Sequence, residues 1–442
     1  MKVDSGYKEV WRIAWPIMLS SLGNTVINFT DVVFVSRIGE VQLAASALGG
    51  VFYFLLVMIG VAFGTGCQIL VARREGEGSP KDAGLVFDHA FLILVALGLL
   101  MAFFMLTGMP FLIDRLIQDK QVSLNALQYL SGRSWGILPM MILVLVRSFY
   151  TGIASTRIIT ATTALMMVMN VGLNYLFVFG GLGIAPMGIY GSGLASAISE
   201  AAAALLGLGY MLNGKTRLTY GLFTFRVKSA AVYLQLFRLS LPVVFQHFLS
   251  MGAWFLFFVF IEKLGSRELA ISNVVRAVYM ILMTPVWGFS QAANTMVSNI
   301  IGQGRASEVL SLTARIAKMA FFFCLLSISV SLLFSDYFLG LCTPDALLAA
   351  EALGSFRVVC LSTAFFGPAM VVLMAVSGTG MTSAAMRIEI VSLVVYMVHV
   401  VLTVSSNASL ELVWMAETIY WLCMGVFGTI YLRSLKWAGK QL

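Results

Sequence analysis

The sequence predicts an all-α polytopic membrane protein with twelve transmembrane helices in two six-helix lobes, related by a pseudo-two-fold axis along the membrane normal. Of its 442 residues, 60% are hydrophobic and only 11% are charged, and the mean hydropathy is +0.94. Soluble domains carry roughly 25% charged residues, so this chain lacks the polar surface that a soluble globule needs. The composition therefore excludes a soluble enzyme, a secreted disulfide scaffold and a disordered protein.

Twelve apolar segments are separated by charged breaks or by breaks rich in Gly, Pro and Asn. Each is close to or longer than the roughly 20 residues that cross a bilayer as a helix. The first is too long for a cleavable signal peptide, and no small-residue cleavage pattern follows it. We expect spans at residues 10–36, 43–71, 88–110, 134–156, 160–181, 189–212, 236–261, 270–300, 315–341, 357–378, 385–406 and 411–433.

The distribution of Lys and Arg predicts the orientation in the membrane. Of the 28 basic residues, 20 fall on the side of both termini and 8 on the other side, and cytoplasmic loops carry the excess of positive charge. We therefore expect a multi-pass protein of the plasma (inner) membrane with both termini cytoplasmic. No basic stripe with interleaved aromatic residues is present, so the net charge of +8 does not indicate a nucleic-acid partner. We expect a monomer in the lipid bilayer.

The chain contains an internal repeat at an offset of 226 residues. Residues 7–78 align with 233–304 without a gap, and Pro16 and Pro242 are one of the identical pairs. Six predicted spans separate equivalent positions, so both halves share one orientation. Parallel repeats of this kind place a transporter's substrate path between the two halves. We predict an N-lobe at 1–212, a cytoplasmic linker at 213–235 and a C-lobe at 236–442.

Four polar residues are predicted at similar depth in the first half of the chain. Asp31 lies in the outer part of the first span, and Asn170 and Asn174 share one face of the fifth. Ser196 lies early in the sixth span, which returns through the same depth. A carboxylate in hydrocarbon costs about 2.5 kcal/mol or more, so Asp31 either faces a cavity as a cation site or reaches interfacial water. The asparagines either help to bind the ion or only join helices by hydrogen bonds.

The chain resembles the multidrug and toxic compound extrusion (MATE) family over nearly its whole length. The likeness rests on the twelve spans in two lobes, the repeat and a set of short motifs. The motifs are Pro16, Asp31 followed by Gly39, the Gly-x-Gly pattern at Gly76 and Gly78, Asn170-x-x-x-Asn174, and Gly188-Ile-Tyr-Gly-Ser-Gly-Leu-Ala-Ser196.

This resemblance implies a secondary antiporter, not an enzyme, that exports amphiphilic or cationic organic compounds such as drugs and dyes. It implies Na⁺ or H⁺ as the coupling ion and no cofactor. The implied cation-coupling residues are Asp31, Asn170, Asn174 and Ser196. If a metal binds there, it is Na⁺, and Asp31, Asn170 and Asn174 are its implied ligands. Pro16 is implied to be the hinge, because proline lacks a backbone donor.

The second half departs further from the family pattern. Ser250 stands where many members carry a Glu in span seven, and Phe366 or Gly367 stands where many carry an Asp in span ten. The remaining candidates for a C-lobe cavity are Gln246, His247, Tyr396 and His399. Glu200, Glu389 and Glu417 also lie within spans, and the sequence leaves open whether each faces a cavity or another helix.

The main alternative is a lipid-linked oligosaccharide flippase with the same architecture. Such a carrier needs several Arg or Lys residues in its cavity to hold a pyrophosphate. This chain has few basic residues near the middle of its predicted spans, which favours the antiporter. A receptor or a structural membrane protein would leave both the repeat and the intramembrane Asp31 unexplained.

Overall fold

A computed structural model describes residues 3–225, 229–343 and 345–439, and this part of the chain forms helices joined by turns. One isolated bridge pairs Gly181 with Ile184. The helices are α1 (Tyr7–Ser36), α2 (Glu40–Gly76), α3 (Pro80–Leu116), α4 (Lys120–Gly152), α5 (Arg157–Phe179), α6 (Gly188–Leu212), α7 (Gly214–Tyr220), α8 (Ala230–Glu262), α9 (Ser266–Met283), α10 (Val286–Gly302), α11 (Val309–Leu333), α12 (Ser335–Cys342), α13 (Ala346–Gly378), α14 (Thr382–Ser405) and α15 (Leu410–Arg433).

Eleven of the described helices are long and apolar enough to cross a membrane, and α9 with α10 forms a further span that is bent by 43°. The bend lies at Pro285, which cannot donate a backbone hydrogen bond. The total of twelve agrees with the prediction. On α3, Leu100 and Phe103 are 63% and 65% exposed, as side chains that face lipid are. The chain is a polytopic membrane protein.

Two helices begin well before their predicted spans. The predicted starts at 134 and 357 were wrong, because α4 begins at Lys120 and α13 begins at Ala346. Asp119 caps α4 by accepting hydrogen bonds from the backbone N–H groups of Gln121 and Val122, and Asp345 caps α13 in the same way. The first turns of α4 are too polar for a hydropathy criterion, whereas those of α13 are apolar and are separated from the apolar part of the predicted span by Glu351 and Arg357. The N-cap carboxylates stabilise both helix starts.

The chain divides into two compact units. Of the described residues, those from Leu19 to Val244 form one unit, and those up to Met18 and from Phe245 onward form the other. Both boundaries fall inside a helix, two residues after Pro16 in α1 and two residues after Pro242 in α8. The boundaries are therefore at equivalent positions of the 226-residue repeat. The predicted lobes at 1–212 and 236–442 remain a prediction.

Close packing places these helix segments within their units. In the first unit, a Cβ on Gly66 would lie 2.2 Å from the Ser240 Oγ of α8. In the second unit, a Cβ on Gly288 would lie 2.7 Å from the Ala14 carbonyl oxygen of α1. Ala14 and Ser240 are themselves equivalent in the repeat, so the two units hold matching segments in a matching way.

The backbone reproduces the repeat at its turns. Gly39 and Gly265 precede α2 and α9 with φ of 155° and 151°, and Gly78 and Gly304 have φ of 78° and 77°. L-residues with a side chain rarely adopt these conformations. The glycine pairs that match in sequence are thus required by the same two turns in each half.

The predicted linker begins as an ordered segment held on the first unit. The Asp88 carboxylate of α3 accepts hydrogen bonds from the backbone N–H groups of Phe223, Thr224 and Phe225, at 2.7, 3.0 and 3.2 Å. Ser229 N–H donates to His89 Nε2 at 3.0 Å. Part of this linker lies outside the described residues, as do four basic residues that support the orientation: Lys2, Arg226, Lys228 and Lys440.

Candidate functional site

The structure brings together the four polar residues that the sequence predicts as one site in the first unit. Asn174 Nδ2 donates to Asp31 Oδ1 at 2.7 Å, and Ser196 Oγ donates to Asp31 Oδ2 at 3.3 Å. Asn170 Nδ2 donates to Ser196 Oγ at 3.1 Å. Helices α1, α5 and α6 thus supply a carboxylate, two amides and a hydroxyl to one cluster.

Two oxygen atoms of this cluster accept no hydrogen bond from the described residues. They are the Oδ1 atoms of Asn170 and Asn174, and both are buried. The two side chains are only 1% and 0% exposed, so bulk water does not reach them. Buried acceptors are normally hydrogen-bonded, and each exception needs an explanation. A cation beside the Asp31 carboxylate would supply one, because Na⁺ binds to oxygen ligands of these kinds.

Local packing of α5 on α6 fixes the cluster. Asn170 and Asn174 are one turn apart on α5, and Asn174 Nδ2 also bonds to the Asn170 carbonyl oxygen at 3.1 Å. A Cβ on Gly191 of α6 would lie 2.6 Å from the Phe177 carbonyl oxygen of α5. The two backbones are therefore in direct contact just before Ser196, which sets this hydroxyl beside Asn170.

Asp31 itself is partly exposed, whereas its partners are buried. A cation could therefore approach the carboxylate from one side while the amides and the hydroxyl hold it from the other. Pro16, the predicted hinge, lies inside α1, which is a continuous helix from Tyr7 to Ser36 in this structure. The hinge and the coupling role of the cluster stay predictions.

The four candidate residues of the second half do not form one cluster through the contacts described. Tyr396 is 2% exposed and donates from its hydroxyl to Glu417 Oε1 at 3.2 Å. Gln246 is buried and lies within hydrogen-bonding reach of Glu389. His247 is half-buried. His399 is half-buried too, and its Nε2 contacts the Leu412 carbonyl oxygen at 2.8 Å, so it bonds to backbone.

The buried carboxylates of the second unit contact other helices. Ser250 of α8 hydrogen-bonds to Glu389, and Tyr420 of α15 donates to the same carboxylate at 3.1 Å. Glu417 accepts from Tyr279 at 3.1 Å as well as from Tyr396. Ser250, which stands in place of the glutamate that many family members carry, is thus bonded to a glutamate from α14.

Sequence analysis missed Arg133 and the partner of Glu200. Arg133 directly precedes the predicted span at 134–156, but it lies inside α4 and forms an ion pair with Glu200 of α6, with 2.9 Å between Nη1 and Oε1. A hydropathy window treats an arginine as the end of a span, which explains the error. The Gly132-x-x-x-Gly136 pattern around Arg133 was the available signal, because it is typical of close helix contacts in membranes.

Twelve spans around buried carboxylates and amides are typical of a membrane transporter. The MatE family model matches residues 16–176 and 242–403, one copy in each half of the chain. The chain belongs to the MatE family, and it is accordingly a transporter rather than an enzyme. The two matched segments begin at Pro16 and Pro242, in agreement with the 226-residue offset.

Individual relatives agree with this assignment. The chain is 25% identical over 318 residues to the probable multidrug resistance protein NorM of Agrobacterium fabrum. The aligned region covers 72% of this chain and 68% of the relative. It is 24% identical over 362 residues to the protein of the same name from Rhizobium meliloti, covering 81% and 74%. Its fold matches the outward-facing conformation of a multidrug resistance MATE family transporter with a TM-score of 0.90, at 19% identity over 97% of this chain and 95% of that chain.

Proposed function

We propose that this protein is a cation-coupled antiporter that exports amphiphilic, cationic organic compounds such as drugs and dyes. The names of the curated relatives support the substrate class. The observation that carries the coupling is the Asp31 cluster with its two buried amide oxygens that accept no hydrogen bond from the described residues. A carboxylate held by neutral donors can bind a cation and release it, whereas one in a tight ion pair cannot.

The coupling ion is Na⁺ or H⁺, and the geometry of the cluster favours Na⁺. A proton on Asp31 would give the carboxyl one donor, which could satisfy only one of the two amide oxygens of Asn170 and Asn174. A Na⁺ ion could interact with both of them and with the carboxylate. Entry of one monovalent cation across 100 mV supplies about 2.3 kcal/mol, before any concentration term.

Binding of the ion would change the forces on α1. Asp31 is the contribution of α1 to the cluster, and α5 and α6 supply the other three groups. Neutralising the carboxylate by a cation would draw the end of α1 toward α5, with Pro16 as the point where the helix bends most easily. Movement of α1 would expel the substrate, and release of the ion to the cytoplasm would reset the helix.

The cellular setting follows from the charge distribution. We propose a location in the plasma (inner) membrane of a bacterial-type cell, with both termini cytoplasmic, and a monomeric protein. The excess of Lys and Arg on the side of the termini supports this orientation. It places the beginning of α1, with Pro16, nearer the cytoplasm than Asp31.

Efflux of ethidium and norfloxacin from drug-sensitive bacterial cells tests the proposal under imposed Na⁺ and pH gradients. The wild type is compared with Asp31→Asn and with Asp82→Asn, the same change at an exposed position in the first turn of α3. We expect efflux from the wild type and from Asp82→Asn, and none from Asp31→Asn at equal abundance in the membrane. The gradient that drives efflux identifies the ion.

Two outcomes would contradict the proposal. Efflux by Asp31→Asn at the wild-type rate would remove Asp31 from the coupling mechanism and direct attention to His247. Absence of efflux by the wild type, at confirmed abundance in the membrane, would favour transport of a lipid-linked oligosaccharide instead.

A further inference from the structure

A second charged cluster lies in the first unit near the Asp31 site. Arg133 Nη1 lies 2.9 Å from Glu200 Oε1, and the two side chains are 13% and 8% exposed. The Tyr53 hydroxyl donates to the other carboxylate oxygen, Oε2, at 2.7 Å. The Arg133 guanidinium carbon lies 3.9 Å from the centre of the Tyr53 ring. Both charges are thus held by specific contacts in the interior of the helix bundle.

Close contact of α4 with α6 fixes the position of this ion pair. A Cβ on Gly132 would lie 2.6 Å from the Tyr190 carbonyl oxygen, and a Cβ on Gly193 would lie 2.4 Å from the Tyr129 carbonyl oxygen. A Cβ on Gly136 would lie 2.5 Å from Glu200 Oε2 itself. Backbone atoms of both helices therefore meet at glycines around Arg133, where there is no room for a larger residue.

Glu200 connects this pair to the cation-coupling cluster. It lies one turn after Ser196 on α6, and the Ser196 hydroxyl donates to Asp31 Oδ2. Side chains four residues apart on a helix have their Cβ atoms about 5–6 Å apart. Ser196 bonds to Asp31 and Glu200 bonds to Arg133, so side chains one helical turn apart on α6 contact the two charged groups. Arg133 therefore lies near two carboxylates, and in this structure it is paired with Glu200.

We propose that Glu200 maintains the cation affinity of the Asp31 site by neutralising Arg133 and holding its guanidinium away from Asp31. This inference rests on the proposed function. Without Glu200, the positive charge of Arg133 would be unpaired, would repel a cation at Asp31 and would attract the Asp31 carboxylate to itself. Glu200 is then a positioning residue, because it acts on the ion through Arg133 and Asp31.

Coulomb's law sets the scale of the effect of an unpaired charge. For a separation of about 8 Å between a unit charge and a bound cation, and an effective dielectric constant near 20, binding would be weakened roughly 10- to 50-fold. We expect Glu200→Gln to raise the half-saturating concentration of the driving cation by at least about tenfold. The double variant Arg133→Gln with Glu200→Gln removes both charges and should return to within about threefold of the wild type, because the two positions then contribute no net charge, as in the wild type.

The experiment is dye efflux from proteoliposomes as a function of the driving cation. That cation is Na⁺, with choline at constant ionic strength, or H⁺ if Na⁺ has no effect on the wild type. Glu77→Gln is the matched control, since it removes a carboxylate that pairs with Arg74 at 2.9 Å on the surface of the same unit. We expect this control to keep the wild-type half-saturation. Thermal unfolding of each purified variant reports whether it is folded.

The outcomes separate this inference from the proposed function. If Asp31→Asn keeps the cation dependence, the proposed function fails, whatever Glu200→Gln does. If Asp31→Asn abolishes the dependence and Glu200→Gln leaves half-saturation unchanged, only the role of Glu200 is overturned. The role of Glu200 is also overturned if the double variant has the same raised half-saturating cation concentration as Glu200→Gln, because the pair would then act by packing and not by charge.

Discussion

The contact between Asp88 and the segment after α7 gives a prediction that can be worked out bond by bond. The carboxylate accepts from three consecutive backbone N–H groups, at Phe223, Thr224 and Phe225. Phe223 and Phe225 have φ of 59° and 47°, a left-handed conformation that costs an L-residue roughly 1–2 kcal/mol. Three hydrogen bonds to one charged group therefore hold a backbone that would otherwise relax.

Replacing Asp88 by Asn keeps one acceptor oxygen and puts an NH₂ group in place of the other. The N–H group of Phe223 bonds to Oδ1, and those of Thr224 and Phe225 both bond to Oδ2, so the substitution removes one or two of the three hydrogen bonds. A hydrogen bond to a charged group contributes about 1.5–3 kcal/mol. A local loss of about 3 kcal/mol corresponds to roughly 100-fold faster opening, at 1.4 kcal/mol for each factor of ten.

Hydrogen exchange of the amides at residues 223–225 measures this opening, by mass spectrometry of the protein in detergent. We expect about 100-fold faster exchange in Asp88→Asn and no change in Asp82→Asn, the same substitution at an exposed position of α3. Equal exchange rates in the two variants would refute the reasoning, since the carboxylate would then contribute nothing to the order of this segment. Faster exchange throughout α3 would show general destabilisation instead of local release.

The remaining predictions concern packing and the second unit, and both are measured by thermal unfolding of the purified protein. Gly132→Ala should destabilise the protein by about 1–3 kcal/mol, because the added Cβ would meet backbone atoms of α6. Gly209→Ala on α6 should not, because no atom lies within 4 Å of its added Cβ. Equal unfolding temperatures of the two variants would argue against tight packing of α4 on α6. Tyr396→Phe removes a donor to the buried Glu417 carboxylate and should cost about 1.5–3 kcal/mol; a neutral result would mean that this hydrogen bond is replaced or absent.

The number of spans could be predicted from the sequence because hydropathy depends on composition alone. Helix ends were less predictable, since they depend on single hydrogen bonds. α4 begins 14 residues before the predicted 134, and its polar first turns are stabilised by the Asp119 cap, which no hydropathy average detects. The broken span at Pro285 was predicted as one continuous segment, because a proline lowers hydropathy too little to divide it.

The candidate site was partly predictable for a geometric reason. Asn170 and Asn174 are four residues apart, so their common face follows from the helix period. Their proximity to Asp31 was predicted only from an estimate that the residues lie at equal depth in the membrane. The structure shows this proximity as a hydrogen bond between Asn174 and Asp31. The pairing of Arg133 with Glu200 joins residues 67 positions apart. A contact between residues so far apart in the sequence depends on how α4 and α6 pack. Patterns of neighbouring residues in a single sequence do not predict that packing.

The boundary inside α1 and α8 has a consequence for dividing the gene. A chain cut between α7 and α8 would give two fragments, and each would carry the opening segment of the other unit's fold: α1 up to Met18 on the first fragment and α8 up to Val244 on the second. Neither fragment would contain a complete unit. Expressed alone, each should be degraded, and co-expression should restore both by complementation. A six-helix ancestor with this arrangement would have needed a second copy of itself to fold.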